Sequence, residues 1–328
     1  MRPRVYIDGH VGTTGLRIRE WLARRTDIEL LTLPDHSRKE TSARKDHILA
    51  ADLVVLCLPD DAAREAARWA AHATTRIIDA STAHRVAADW VYGLPELAPG
   101  QRDAIRSARL VANPGCYPSA VILLVRPLID AGLVARTAPL TCHALSGYSG
   151  GGRPMIEKWE DPAGGLRALV YEAPYALDRV HKHIPEMVHY SGLQREPYFE
   201  PAVGPFRCGM RVQIPLHADV LLPRADAGRV WEVLHERYRD EPFVRVMAIP
   251  AQGGTHERSF DPQACNDTNR IELHVLPHPS GHVLLMAILD NLGKGASGVA
   301  IQCLNLMLGF AETMGLPFSH REESREHP

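Results

Sequence analysis

The sequence lacks the segments that would place a protein in a membrane or outside the cell. No apolar run reaches the roughly 20 residues that a membrane-spanning helix needs, and the first residues lead straight into a strand pattern rather than a signal peptide. The six cysteines are scattered and form no C-x-x-C pair. We therefore expect a cytoplasmic protein with reduced thiols, without a disulfide framework and without a bound metal.

An excess of positive charge is also missing. The formal net charge is −2 and the isoelectric point is near 6.8, so no basic field favours nucleic acid as a partner. Internal repeats and low-complexity linkers are absent as well. The chain has 328 residues, which is long enough for two domains of ordinary size.

The first third of the sequence alternates between strand and helix patterns. We predict strands at 5–7, 28–33, 53–58 and 76–79, and helices at 16–23 and 60–71. Asp60 or Asp61 is a suitable N-terminal cap for the second of these helices. Such alternation is typical of the α/β class with a doubly wound parallel sheet.

The middle of the chain changes character, because strand patterns follow one another with few helices between them. We predict strands at 138–144, 210–217, 243–249, 270–275 and 282–289, a helix at 229–237, a last apolar helix at about 296–310 and a frayed tail at 319–328. Runs of strands of this kind favour a second, α+β domain with a mixed or antiparallel sheet.

A glycine-rich loop follows the first predicted strand and precedes a helix. It contains Gly9, Gly12, Thr13, Thr14 and Gly15. Glycines let the backbone approach a pyrophosphate, and a helix N-terminus favours its negative charge. The spacing is G-x-x-G-x-x-G rather than G-x-G-x-x-G, so the motif alone is a weak signal, and its position between strand and helix supports it.

The residues after the second predicted strand bear on the choice of dinucleotide. Ser37, Arg38 and Lys39 favour a 2′-phosphate and hence NADP(H), whereas Asp35 keeps NAD open. A solvated charged loop would explain each of these residues equally well.

Cys116 lies in the run Asn113-Pro114-Gly115-Cys116-Tyr117, between a short apolar strand at 110–112 and an apolar helix in which Pro118 suits the first position. A thiol at a helix N-terminus meets unpaired backbone N–H groups and the positive end of the helix dipole. Both favour the thiolate and lower the thiol pKa. We therefore predict that Cys116 is a nucleophile.

A histidine segment forms a second dense cluster. His181 and His183 share one face if the segment is extended, and Glu186 could orient one of the rings. No third metal ligand is found at a useful spacing. We predict an acid or base role, with His181 preferred over His183.

Three further segments carry polar residues after predicted strands. The glycine loop at 146–153 presents backbone N–H groups, the segment at 290–298 carries a lysine, and the segment at 79–85 ends a strand where ligands bind in open α/β sheets. We assign to the cofactor Ser149, Gly150, Asn291 and Lys294, and to the substrate Arg85, Asn113, Arg153 and His183.

Together these motifs resemble the N-acetyl-γ-glutamyl-phosphate reductases, in their shorter, type 2 form. The resemblance covers most of the chain and also includes Tyr92-Gly93-Leu94-Pro95-Glu96, while Ser119 stands where the longer form has Thr. It implies an NADP-binding Rossmann domain at 1–116, completed by the C-terminal helix at 296–328, and a catalytic α+β domain at 117–295. It further implies NADP(H) as cofactor and a homodimer or homotetramer.

The implied reaction is a reductive dephosphorylation through a cysteine thioester on Cys116, with His181 as the acid and Glu186 behind it. Three alternatives stay open. Two are reductases with the same plan, acting on aminoadipyl phosphate or aspartyl phosphate. The third is a non-catalytic NADP-sensing protein, which would not need a cysteine at a helix start.

Overall fold

The computed structural model describes residues 1–34, 36–223, 225–256 and 258–317. The chain divides into two compact units. One contains Met1–Pro114 and Ala296–Leu316, and the other contains Gly115–Gly295. Within the described ranges, no helix combines the length and apolar character needed to cross a bilayer.

The first unit is built around a six-stranded parallel sheet. Its elements, in chain order, are β1 (Arg4–Asp8), α1 (Thr13–Leu22), β2 (Glu29–Leu31), α2 (Thr41–Ala50), β3 (Leu53–Leu56), α3 (Asp60–Trp69), β4 (Arg76–Asp79), β5 (Val91–Tyr92), α4 (Gln101–Ser107) and β6 (Leu110–Ala112). The strand order is β2-β1-β3-β4-β6-β5, and every pairing is parallel. The central strand β3 is completely buried, as expected of a strand that is covered on both faces.

The second unit is built around a seven-stranded mixed sheet. Its elements are α5 (Cys116–Asp130), β7 (Thr141–Gly147), α6 (Gly152–Glu160), β8 (Ala173–Pro174), α7 (Ile184–Ser191), β9 (Tyr198–Gly204), β10 (Met210–Leu216), α8 (Ala227–Tyr238), β11 (Val244–Val246), β12 (Ile271–Pro277) and β13 (Val283–Leu289). The order is β11-β12-β13-β10-β7-β9-β8. A π-helical turn (Gly293–Ser297) then leads into α9 (Gly298–Leu308), whose residues belong to the first unit.

The predicted fold class is confirmed, namely a doubly wound parallel sheet followed by an α+β unit with a mixed sheet. The predicted cap of α3 is wrong. The cap position is Pro59, and the Asp60 carboxylate instead accepts a hydrogen bond from the backbone N–H of Thr82 at 3.0 Å. Pro118 is the third residue of α5 rather than the first. The predicted tail at 319–328 lies outside the described residues.

Candidate active site

Cys116 is the first residue of α5, directly after the cap residue Gly115. Gly115 has extended backbone angles (φ −75°, ψ 154°), and no side chain caps this helix start in the described structure. The helix is apolar and almost entirely buried from Tyr117 to Leu128, which anchors its N-terminus firmly. Cys116 therefore stands at a helix start, as the sequence predicted, where the backbone N–H groups of the first turn have no partner within the helix.

Glu186 reaches this helix start from the first turn of α7. Its carboxylate Oε2 accepts a hydrogen bond from the Gly115 backbone N–H at 3.0 Å, and the side chain is 1% exposed. A buried charge-assisted bond of this kind fixes the turn that carries the nucleophile.

Gly295 approaches the nucleophile from the opposite end of the unit's sequence. A methyl group at this position would lie 2.8 Å from the Cβ of Cys116 and 3.2 Å from the carbonyl oxygen of Asp290. Real side chains do not tolerate such a distance, so the close approach requires glycine.

His181 and His183 lie in the turn before α7, with ring centroids 4.7 Å apart. The segment is not extended, because the backbone N–H of His183 bonds back to Nδ1 of His181 at 3.2 Å and closes a turn. Both rings nevertheless lie beside Tyr117, at centroid distances of 5.9 and 5.8 Å. Tyr117 follows Cys116 in the chain, so the histidines lie at the nucleophile's helix start.

Tyr175 is a site residue that the sequence analysis missed. Its hydroxyl lies 3.4 Å from Nε2 of His181 and 3.2 Å from the hydroxyl of Tyr117. The next residue, Ala176, has a φ of +55°, a strained value for a residue other than glycine. That unusual backbone is not encoded by any local motif, so no pattern of residues could have predicted it.

The glycine loop at 146–153 is held by side chains rather than left open. Asn291 donates from Nδ2 to the Ser149 hydroxyl at 2.9 Å and accepts from the Gly209 backbone N–H at 2.8 Å. Gly150 packs against the side chains of Ser146 and Asn291, since a methyl group there would be 3.1 Å from the Ser146 hydroxyl and 3.5 Å from Nδ2 of Asn291. Ser149 and Asn291 are thus buried loop-fixing residues, and Gly150 supplies backbone.

Lys294 and Arg153 occupy contrasting environments. Lys294 is fully buried, with Nζ 5.7 Å from the centre of the Phe243 ring, so its ammonium group would have to move to contact a ligand. Arg153 is on the exposed side of α6, where its Nε donates to Glu157 at 2.9 Å. Such a surface pair breaks easily, which leaves Arg153 available to another anion.

In the first unit, the glycine loop turns tightly between β1 and α1. Gly9 has a φ of +91°, and a methyl group there would lie 2.3 Å from the carbonyl oxygen of Cys57. Gly15 packs equally closely on the carbonyl oxygen of Gly9. Gly12 is the cap residue, without a side-chain cap in the described structure, and the helix begins at Thr13–Thr14. The geometry is that of a backbone cradle for an anion.

Arg44 binds Asp8, the residue just before this cradle, and was also missed. Its guanidinium forms a two-nitrogen bond to the Asp8 carboxylate, with the shortest distance 2.8 Å, and Asp8 is 2% exposed. The bond raises the pKa of Arg44, and burial together with Asp8 raises the pKa of Tyr6. The sequence signal was weak, because α2 carries no clear apolar stripe. Ser37 and Arg38 are half-buried in the turn before α2, whereas Asp35 lies outside the described residues.

Arg85 and Asn113 lie together at the carboxyl ends of β4 and β6. Arg85 donates from Nε to the backbone oxygen of Asn113 at 3.0 Å. The Asn113 amide donates to the carbonyl oxygen of Ala296 at 3.0 Å. Its Oδ1 is buried and accepts no hydrogen bond from the described residues. A buried acceptor without a donor fits a position where a ligand or a water donates.

The described residues contain no group of three or more His, Cys, Asp or Glu side chains arranged to hold a metal ion. The chemistry available is therefore that of a thiol at a helix start, two imidazoles and a carboxylate in the second unit, and a backbone cradle in the first.

Two family models and a set of curated relatives match this chain. "Semialdehyde dehydrogenase, NAD binding domain" matches residues 4–108, and "Semialdehyde dehydrogenase, dimerisation domain" matches residues 116–291. The N-acetyl-gamma-glutamyl-phosphate reductase of Burkholderia cenocepacia is 47% identical over 309 residues, covering 94% of this chain and 97% of that protein. The protein of the same name from Brucella anthropi is 46% identical over 311 residues, covering 94% and 99%.

The chain belongs to the N-acetyl-γ-glutamyl-phosphate reductase family.

Solved structures of a neighbouring group share the fold of this reductase family. Aspartate semialdehyde dehydrogenase II from Vibrio cholerae, complexed with ASA, superposes with a TM-score of 0.69 at 17% identity, covering 94% of this chain and 99% of that one. The enzyme from Candida albicans with NADP gives 0.65 at 15% identity, with the same coverage. At such low identity the likeness extends to the fold alone.

Proposed function

We propose that this chain reduces N-acetyl-γ-glutamyl phosphate to N-acetylglutamate semialdehyde, with release of phosphate, as a step of arginine biosynthesis. The observation that carries the proposal is Cys116 at the start of a buried helix, with two imidazoles beside it. The relatives at 46–47% identity bear the name of this reductase, which identifies the acyl phosphate.

Cys116 acts as the nucleophile. Its thiolate attacks the acyl carbon, a C–S bond forms, and the C–O bond to phosphate breaks, which leaves a thioester and inorganic phosphate. The backbone N–H groups at the start of α5 stabilise the negative oxygen of each tetrahedral intermediate. Glu186 keeps this turn in place through Gly115.

His181 acts as the acid in the second half of the reaction. When the oxyanion of the thiohemiacetal on Cys116 collapses, the C–S bond breaks and the semialdehyde is released, while the protonated His181 ring donates its proton to the departing sulfur and restores the thiol. His183 closes the turn that holds the His181 ring, and we assign its own ring to the substrate.

The residues of the first unit fit an NADP(H) site. We assign the pyrophosphate to the cradle formed by Gly9, Gly12, Thr13–Thr14 and Gly15. A Cβ at Gly9 or Gly15 would collide with neighbouring backbone, so only glycine allows the tight turn that such a contact needs. Arg38 and Ser37 would bind a 2′-phosphate. When bound, NADPH supplies the hydride that reduces the thioester.

The remaining assignments complete the site. In the second unit, Ser149, Gly150, Asn291 and Lys294 would serve the cofactor, and Arg153 would serve the substrate. Arg85 would bind the phosphate or carboxylate of the substrate, since a guanidinium suits an anion, and Asn113 would accept a hydrogen bond from the substrate through its buried Oδ1. The functional domains proposed are 1–116 with 296–328, and 117–295.

We further propose a cytoplasmic homodimer or homotetramer. Alternate residues of β7, β9 and β10 are not buried by the unit itself, including the paired His143 and Glu200, whose side chains are 49% and 37% exposed. A second copy would cover this face, in agreement with a family model described as a dimerisation domain. Light scattering on Glu200→Arg, which removes the carboxylate partner of His143 and puts a long cation in the proposed interface, is expected to show a smaller species than the unmodified chain.

The decisive assay is the reverse reaction. We expect phosphate-dependent reduction of NADP⁺ with N-acetylglutamate semialdehyde, and loss of this activity in Cys116→Ala. Aspartate semialdehyde serves as the control substrate, because the solved neighbours carry that name. Higher activity on aspartate semialdehyde, or full activity in Cys116→Ala, would contradict the proposal.

A further inference from the structure

Asn113 directly follows β6 and is held in place by three hydrogen bonds. Its backbone N–H donates to the carbonyl oxygen of Asp79 at 2.8 Å, and its backbone oxygen accepts from Nε of Arg85 at 3.0 Å. Its side-chain Nδ2 donates to the carbonyl oxygen of Ala296 at 3.0 Å, and the residue is 1% exposed. The side chain therefore has a fixed orientation at the carboxyl end of the parallel sheet.

The bond to Ala296 determines which end of the Asn113 amide remains. A backbone carbonyl oxygen can only accept, so the side-chain atom that faces it must be the NH₂ group. The other end is therefore Oδ1, which can only accept. Oδ1 is buried and accepts no hydrogen bond from the described residues. Because an unpaired buried acceptor is unfavourable, we expect a ligand to bring a donor to this atom.

The proposed substrate offers one such donor. Its α-carboxylate and its acyl phosphate are anions at neutral pH and accept hydrogen bonds, and so does the carbonyl oxygen of its acetyl group. The polar hydrogen that remains is the N–H of the acetamido group. A hydrogen bond from the substrate to Oδ1 must therefore come from this N–H, whereas the guanidinium of Arg85 can only serve the anionic groups.

The short chain between Asn113 and Cys116 allows one substrate molecule to reach both residues. Three residues span at most about 11 Å between Cα atoms. In the substrate, four bonds separate the acyl carbon from the amide nitrogen, a distance on the order of 5 Å. With ordinary distances for an attacking sulfur and a hydrogen bond, the substrate can bridge about 11 Å between Sγ and Oδ1. The two lengths are compatible.

We propose that Asn113 is a specificity-determining residue, whose Oδ1 accepts a hydrogen bond from the acetamido N–H of the substrate. This inference rests on the proposed function, because it identifies the substrate group that one residue of that site recognises. An analogue with an ester oxygen in place of the N–H would put two acceptors face to face. A site that is built to bond an N–H rejects such an analogue, because its buried acceptor then stays unpaired.

The first test compares two substrates of the reverse reaction on the unmodified enzyme. They are N-acetylglutamate semialdehyde and 2-acetoxy-5-oxopentanoate, which differ only in the N–H. We expect kcat/KM for the acetoxy compound to be lower by about 10- to 100-fold, the range that corresponds to one unpaired buried acceptor. Equal values for the two compounds would overturn the inference.

Two substitutions of Asn113 form a matched pair. Asn113→Ala has no acceptor in the side chain, whereas Asn113→Asp keeps one. Both lose the donor to Ala296, so the acceptor is what distinguishes them. We expect the preference for the acetamido compound to persist in Asn113→Asp and to fall below about 3-fold in Asn113→Ala, where the bond that creates it is gone. A preference that persists in Asn113→Ala would overturn the inference.

A binding measurement gives a readout that does not require turnover. Calorimetry with N-acetylglutamate and 2-acetoxyglutarate should show the same preference in the unmodified chain and its loss in Asn113→Ala. The NADPH affinity of Asn113→Ala should be unchanged and serves as the control for folding. A selective loss of NADPH affinity, with the preference between the two acids kept, would assign Oδ1 to a donor of the cofactor and overturn the inference.

The outcomes separate this inference from the proposed function. An unmodified chain that is inactive on N-acetylglutamate semialdehyde would contradict the proposed function. An active chain that uses the acetamido and acetoxy compounds equally well would overturn the role of Asn113 alone.

Discussion

The carboxylate of Glu186 accepts a hydrogen bond from the backbone N–H of Gly115, the residue immediately before the nucleophile Cys116. The two partners are 71 positions apart in the sequence, and the bond joins α7 to the start of α5. It also removes one N–H from the set that can stabilise the thiolate. Glu186 therefore stabilises the turn that carries the nucleophile, in addition to its proposed role of orienting the His181 ring.

This bond predicts different results for two substitutions of Glu186. Glu186→Gln keeps an acceptor oxygen and should retain most of the stability. Glu186→Ala leaves the buried N–H of Gly115 without its acceptor, which should cost about 1–3 kcal/mol of unfolding free energy. Urea unfolding of the two variants checks this difference. Equal stability of the alanine and glutamine variants would show that water replaces the carboxylate at no cost.

Cys116 should be the first of the six cysteines to react with iodoacetamide, because alkylation requires the thiolate. Burial raises the pKa of Cys265 to about 11 and raises the pKa values of Cys57 and Cys142 further. These three thiols should therefore stay protonated at pH 8 and react slowly with iodoacetamide. Peptide mapping after brief labelling checks the order. Labelling of Cys265 before Cys116 would contradict the assignment of the nucleophile.

The same residue gives a kinetic expectation. Cys116→Ala should fold and bind NADPH but lose turnover almost entirely, and Cys116→Ser should be nearly as inactive, since a hydroxyl ionises far less readily than a thiol. Cofactor binding, followed by fluorescence, is the control that separates lost chemistry from lost structure.

The close contact between Gly295 and Cys116 predicts that Gly295→Ala displaces the nucleophile. The added methyl group would lie 2.8 Å from the Cβ of Cys116, and a displacement on the order of 1 Å near reacting atoms can cost about 10²-fold in rate. Gly164→Ala is the matched control, because nothing lies within 4 Å of a methyl group there. We expect kcat to fall only in the Gly295 variant, and similar rates in both would show that the turn can adapt.

These contacts also explain which parts of the site could be predicted from sequence. Cys116 at a helix start and the glycine cradle were predicted because a strand, a turn and a helix in immediate succession encode each of them locally. The partner of Glu186 could not be predicted, because the contact depends on how α7 packs against α5. Tyr175 was missed for a similar reason, since its position depends on a strained backbone at Ala176.

Short elements were the other source of error. The predicted strand at 243–249 is reduced to β11 (Val244–Val246), and helices α2, α4, α6 and α7 were not predicted. In α2, only Ile48 is buried, so the helix lacks the apolar stripe on which such predictions depend. The histidine segment forms a turn because a side-chain acceptor, Nδ1 of His181, competes with extended backbone.

Arg38 provides a test of cofactor choice. Arg38→Ala should weaken the binding of NADPH more than that of NADH, because only NADPH carries the 2′-phosphate that a guanidinium binds with two parallel hydrogen bonds. Arg24→Ala, at an exposed arginine of the same unit, controls for the loss of one positive charge. An equal loss for both cofactors would move the phosphate contact to Ser37 or Lys39.

The final prediction decides between the two histidines. A positioned acid or base contributes about 10²–10⁴-fold in rate, so His181→Asn should slow turnover by that order while NADPH binding persists. Acylation should be affected less than reduction, because the helix start activates Cys116 independently of the imidazole. Single-turnover experiments that follow phosphate release and NADPH oxidation separately distinguish the two steps.

His183→Asn is the matched variant. It keeps the backbone N–H that bonds to Nδ1 of His181, so it should preserve the turn and affect substrate binding more than proton transfer. If His183→Asn instead carries the larger defect in reduction, the two roles are exchanged, and if neither variant is impaired, the proton comes from another donor.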